Sequence, residues 1–162
     1  MADAKVLWTA EEIRAKGRPY SQKLNPSSYF IGASLSRRAG MSRAHVSIAR
    51  IPPGKESFAY HAHQVEEEWL YILSGRGVAD IDGESYEVGP GDFMGFKAPQ
   101  VPHLLRNPFD EELVYLMGGE NVPLDVIDYP TLGKRYLLRG TDQGTEFYEL
   151  AAPTSPFGPA TP

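Results

Sequence analysis

The residues in this chain best suited to chemistry are histidines and glutamates. Only four histidines occur in 162 residues, and three fall in one pattern: His61-Ala62-His63, then Glu66-Glu67-Glu68, then His103. Strand side chains alternate, so His61 and His63 face the same way, with Cα atoms about 6.6 Å apart along the strand. Two imidazoles at that spacing can converge on one ion. From Glu68 the run reads E-W-L-Y-I-L-S-G, with six residues before Gly75. Glu68, Leu70 and Ile72 share one face, and Trp69, Tyr71 and Leu73 the other. Both faces are apolar, which reads as a strand buried between two sheets. An ionised, inward-facing Glu68 then needs a cation or another partner. Glu66 and Glu67 are expected in the turn, in water. His103, on a distant strand after Val101-Pro102, completes a candidate metal set of His61, His63, Glu68 and His103. The remaining readings are a site that has lost its metal and a hydrogen-bonded His/Glu cluster.

Three neutral imidazoles and one carboxylate suit one divalent transition metal: Mn, Fe, Co, Ni, Cu or Zn. They suit Ca or Mg poorly, since these favour all-oxygen shells. A six-coordinate ion would keep two positions for water or substrate, where a carbonyl can be polarised or an enediolate steadied. A tetrahedral Zn holding all four ligands would instead be closed and structural. Proton transfer at such a site also needs a base, and the candidates are His45, Tyr60 and Tyr115. His45 lies in the strand before Pro52, and the intervening loop leaves it unphased against His61.

These residues must be positioned by strands. Residues 29–35, 44–51, 56–63, 68–73, 77–81, 84–88, 92–97, 102–106 and 112–117 read as strands separated by turns. Pro52-Pro53-Gly54 stops one of them, because proline lacks the ladder donor. Asp82-Gly83 is a two-residue hairpin signal. Short strands with a turn between each pair indicate an antiparallel sandwich or barrel, an all-β fold. Thr9-Ala-Glu-Glu12 is a capping box for a short helix over residues 10–16, ended by Gly17. The expected domain plan is an N-terminal segment (1–28), a barrel with a covering segment (29–150) and a Pro-rich tail (151–162). Past Gly118-Gly119 the pattern weakens to a strand or two, expected to cover a barrel mouth or an edge.

Composition narrows the function classes. A single domain with 41% hydrophobic residues can bury one core. The net charge of −5 and the absence of a basic run argue against nucleic acid as partner. No apolar stretch approaches a membrane span, and residues 1–17 do not read as a signal peptide, so the expected place is the cytoplasm. With no Cys there is no disulfide, thiolate ligand or thiol nucleophile. Edge strands need cover, which makes a homodimer the expected assembly.

The spacing resembles the cupin superfamily. Its first motif, G-x5–6-H-x-H-x3–4-E-x6-G, is matched by Gly54, six residues, His61-Ala62-His63, four residues, Glu68, six residues and Gly75. The second motif opens at Gly91-Asp92 and closes with His103, three residues and Asn107. Its P-A-G-V-P-H approach reads Ala98-Pro99-Gln100-Val101-Pro102-His103 here. The resemblance extends over about residues 44–118 and is closest to small bacterial single-domain cupins. It implies a jelly-roll β-barrel, or double-stranded β-helix, with a short N-terminal helix. Sugar isomerisation or epimerisation and iron-dependent dioxygenation of a small oxygenated substrate both fit that family. The alternative is a non-catalytic, metal-dependent small-molecule binder or sensor.

Overall fold

The computed structural model describes residues 5–99, 101–141 and 144–152; most of the Pro-rich tail lies outside them. The capping box forms as expected. The Thr9 hydroxyl accepts from the Glu12 amide, and the Thr9 amide donates to Glu12 Oε2, starting helix α1 at Ala10–Ala15. Among the described residues fourteen strands follow: β1 Arg18–Tyr20, β2 Phe30–Ser34, β3 Ala44–Ile51, β4 Lys55–Glu56, β5 Ala62–His63, β6 Glu68–Ser74, β7 Gly77–Ile81, β8 Glu84–Val88, β9 Phe93–Phe96, β10 His103–Asn107, β11 Leu113–Glu120, β12 Leu124–Tyr129, β13 Lys134–Thr141 and β14 Gly144–Glu149.

The strands form three antiparallel sheets ordered β1-β2-β3-β11-β6-β9, β4-β10-β7-β8 and β14-β13-β12-β5. The two four-stranded sheets are stitched together where His61 and His103 exchange backbone hydrogen bonds of 3.1 and 2.8 Å. They thereby make one curved wall opposite the six-stranded sheet. This is the jelly-roll barrel of an all-β fold. The interior holds Phe30, Ile51, Leu70, Ile72, Leu105, Leu113 and Tyr115. A smaller cluster of Ala59, Ile127 and Tyr129 lies under the far end.

Three expectations need correction. Residues 56–63 are two short strands rather than one. Between them the backbone takes side-chain partners from residues 22–28: the Ala59 amide donates to Gln22 Oε1, and Asn25 Nδ2 donates to the Phe58 carbonyl. Those bonds satisfy the main chain without a ladder. Strand β6 is buried on one face only, since Tyr71 and Leu73 are exposed. Its outer side carries Trp69, which lies over Gly118 and stacks with Phe93. Past residue 119 there are three strands. The first, β12, hides its alternation because the polar Asp125 occupies an inward position.

The turn glycines are not equivalent. Gly54 and Gly75 have nearly the same positive φ, 73° and 74°. A Cβ at Gly54 would meet nothing within 4 Å, whereas one at Gly75 would fall on the Glu112 carbonyl. Gly54→Ala is therefore expected to cost about 1 kcal/mol, the left-handed penalty alone. Gly75→Ala should cost about 3 kcal/mol or more, because backbone must also move. Urea denaturation of both variants checks the ordering.

Candidate metal centre

The fold brings His61, His63, Glu68 and His103 together from opposite walls of the barrel. Glu68 is the first residue of β6, paired with Gly119 on β11 and Phe96 on β9. His63 ends β5 beside Ile127 of β12, and His61 bridges to His103 at the start of β10. The Glu68 Oε2 atom lies 3.1 Å from His103 Nε2, 3.6 Å from His63 Nε2 and 3.9 Å from His61 Nε2. Donor atoms of His61, His63 and Glu68 all lie within 4.8 Å of one another. The Phe96 ring stacks on His103 with centroids 3.6 Å apart and planes 5° apart, which fixes that imidazole.

The other ring nitrogens decide what the cluster can do. His61 Nδ1 donates to the Ala59 carbonyl at 2.9 Å, and His103 Nδ1 donates to the Val101 carbonyl at 3.1 Å. His63 Nδ1 donates to Asp125 Oδ2 at 2.6 Å. A carbonyl or carboxylate can only accept, so each Nδ1 carries the proton and each neutral ring offers a lone pair at Nε2. Three Nε2 atoms then face one buried carboxylate; as neutral rings they present lone pairs, and a second proton on His103 lets its Nε2 donate to Glu68 Oε2 at 3.1 Å. With all rings neutral the set repels itself, which that proton or a metal ion relieves, and imidazoles held through Nδ1 are the usual arrangement around a metal. The residues present therefore fit a divalent ion by donor type and orientation, with His61, His63 and Glu68 as the converging set and His103 beside it through Glu68.

Electrostatics treat the rings differently. Burial holds His61 down to a pKa of about 3, with His103 adding to the effect, so this ring stays neutral. Burial opposes the charge of Glu68, but the hydrogen bond with His103 and the surrounding imidazoles outweigh it and lower its pKa to about 2. Burial likewise works against a charged His63. The Asp125 hydrogen bond with the Glu68 and Glu66 carboxylates prevails and raises its pKa. Asp125 is lowered: its burial is outweighed by the His63 hydrogen bond and by amide donation from Val126 and Val65.

The candidate bases are separated by the fold. His45 Nε2 pairs with Glu66 Oε1, and both line the same cavity of about 190 Å³ as His61, His63 and Glu68. The hydrogen bond to Glu66 is the main cause of a raised His45 pKa. Tyr60 is turned to the β7–β8 hairpin, where its hydroxyl accepts from the Gly83 amide. Tyr115 is in the core, and burial first, then Glu68, raises its pKa. Glu66, expected in water, is 12% exposed; its second oxygen lies 3.9 Å from His63 Nδ1.

Sequence reasoning missed Asp125, Glu66 and Gly119. Asp125 is fully buried and gives both oxygens to the site wall. A lone aspartate in a weakly patterned segment carries no signal without its partner. A Cβ at Gly119 would lie 2.7 Å from Glu66 Oε1 and 2.9 Å from His45 Nε2. The glycine is thus the space in which that pair meets. The rest of the cavity is apolar, with Phe58, Met117, Ile127, Leu138 and Phe147, plus the polar groups of Gln22 and Tyr129.

The cupin domain family matches residues 47–119, the stretch holding all four cluster residues. The chain is 34% identical to a protein of Acidithiobacillus ferrooxidans provisionally assigned as a sugar phosphate isomerase. The two structures have a TM-score of 0.82, over 93% of this chain and 98% of that one. It is 30% identical to a cupin protein of Bacteroides fragilis, with a TM-score of 0.51 over 55% of this chain and 75% of that one. An uncharacterized protein of Methanocaldococcus jannaschii is 39% identical over 84 residues, 51% of this chain and 57% of that protein. The chain spans about half the length of the curated relatives it matches. On these findings the chain belongs to the cupin superfamily. No helix among the described residues is long and apolar enough to cross a membrane.

A neutral, buried His61 makes metal-free protein acid-sensitive. Its folded pKa lies below the unfolded value of 6.5. The unfolded chain therefore takes up the proton first, and stability falls as pH drops from 6.5 toward 3. Glu68 extends the loss from pH 4.5 toward 2. Over that whole window the His61 loss is on the order of 5 kcal/mol. In chelator-treated protein, His61→Gln is expected to flatten the fall in denaturation midpoint between pH 7 and 4.

Proposed function

We propose that this cupin is a metal-dependent isomerase of a small hydroxy-carbonyl compound, such as a sugar derivative. His61, His63, Glu68 and His103 hold one divalent transition metal in this reading. The observation that carries it is the His45–Glu66 pair on the wall of the same cavity as the ligand cluster. Isomerisation moves a proton between adjacent carbons, and a hydrogen-bonded imidazole–carboxylate pair is equipped to take and return it. A bound divalent ion would supply polarisation of the substrate carbonyl.

The chain's own residues account for the rest. Gln22 and Tyr129, joined by a 3.1 Å hydrogen bond, offer polar groups that can orient substrate hydroxyls. Phe58, Met117, Ile127, Leu138 and Phe147 limit water at the reacting carbons. Leu138 and Phe147 are register partners on β13 and β14, so that hairpin forms one side of the cavity. Gly119 keeps room for His45 and Glu66 to meet. The Acidithiobacillus relative, described in terms of sugar phosphate isomerisation, supports the same class. Dioxygenation and passive ligand binding would leave the His45–Glu66 pair without a task.

Elemental analysis should find about one transition-metal ion per chain, lost in His61→Ala and in His103→Ala. Asp125→Asn, which weakens the hold on His63, is expected to lower metal affinity about 10- to 100-fold. His45→Gln should keep the metal and lower kcat for aldose–ketose interconversion by about 100-fold or more. Oxygen uptake coupled to substrate loss, or full activity in His45→Gln, would overturn the isomerase reading.

A further inference from the structure

Charge is divided very unevenly along this chain. Residues 13–55 hold nine Lys or Arg and no Asp or Glu, leaving seven basic residues against all 21 acidic ones elsewhere. No contiguous basic run marks this in the sequence, but folding gathers four of the nine. Lys16, Arg18, Arg37 and Arg38 line a groove of about 330 Å³ beside β1 and β2, together with Tyr20 and Ser34. No carboxylate among the described residues lines it. The ion pairs of Lys and Arg among the described residues all involve other side chains. Arg38 lies over the Trp8 ring, 5.6 Å from its centroid, and reaches the Lys16 carbonyl at 3.5 Å, while its Nε is buried without an acceptor. Four cations without a carboxylate partner and a buried, unused donor in one groove call for an anion with several oxygens.

The position of the groove says which anion. Arg37 also lines a wider vestibule of about 640 Å³, and that vestibule shares His45, Glu66 and Leu138 with the metal cavity. Arg37 thus stands between the groove and the vestibule that borders the metal cavity. Neither Lys nor Arg lines the inner cavity, which carries the Glu66 and Glu68 carboxylates. The Lys and Arg cations that could pair with a dianionic group therefore lie in the groove and not in the inner cavity. A guanidinium suits a phosphate well, because its planar fork can donate two parallel hydrogen bonds.

We propose that the groove at Lys16, Arg18, Arg37 and Arg38 docks the phosphate of a phosphomonoester substrate, with Arg37 as a specificity-determining residue. The inference rests on the isomerase reading for the substrate's other end; the groove itself is independent of the metal. The site selects phosphorylated over free sugars, and its occupancy weakens with salt.

Calorimetric titration of the full chain with inorganic phosphate, D-ribose 5-phosphate and D-ribose tests this. Inorganic phosphate and D-ribose 5-phosphate should bind, with D-ribose about 10-fold weaker or worse. Arg37→Gln should weaken phosphate binding about 10-fold, leaving metal content and melting temperature unchanged. Arg18→Gln should weaken it as well. His61→Ala, which abolishes the metal site, should bind inorganic phosphate as the native chain does. That arm separates failure of the groove from failure of the metal reading. Equal phosphate affinity in Arg37→Gln and the native chain would overturn the proposal. So would phosphate binding that disappears in His61→Ala, or tighter binding of a short DNA duplex than of D-ribose 5-phosphate.

Discussion

A buried carboxylate facing three imidazole Nε2 atoms is the constraint around which this barrel is organised. Glu68 enters from the six-stranded sheet, while His61, His63 and His103 enter from the opposite wall. Without a cation these groups repel in a medium that screens charge poorly. Each imidazole is held through Nδ1 by an acceptor built into the fold: two backbone carbonyls and Asp125. Local backbone, remote strand and a buried acid therefore share one task, keeping every Nε2 aimed at the same point.

That constraint explains features that look irregular as plain barrel architecture. Strand β12 spends an inward position on Asp125 because His63 needs an acceptor there. The wall breaks between β4 and β5, and the freed backbone is satisfied by Gln22 and Asn25 rather than by a ladder. Gln22 thereby ties the N-terminal segment to the cavity, since its amide nitrogen also donates to Tyr129. Gly119 pairs with Glu68 on the ladder and also leaves space for His45 and Glu66. One glycine thus bears on both the carboxylate and the proton-handling pair.

The charge plan complements the site. Acidic groups concentrate inside and around the cavity, where a cation is wanted. Basic side chains without a carboxylate partner collect in the groove beside β1 and β2, apart from the carboxylates of the cavity. A bifunctional substrate with a neutral reacting end and an anionic remote end would be oriented by that separation alone.

Much of this was legible in the linear chain. The His61-x-His63 spacing, the inward phase of Glu68 and the turn residues Gly54, Gly75 and Asp82-Gly83 follow from strand alternation and from left-handed turn geometry, both local rules. They determined the all-β class, most strand positions and the four cluster residues. The sequence by itself left His45 unphased, put Glu66 in water and showed nothing at Asp125 or Gly119. Tertiary structure decided those, because each depends on a partner more than 20 residues away, across a bulge, a sheet gap or the barrel interior. The same holds for the basic groove, whose residues are scattered over two segments and become neighbours only when β1 pairs with β2. Alternation reports which face a side chain takes; only closure of the barrel reports what stands opposite it.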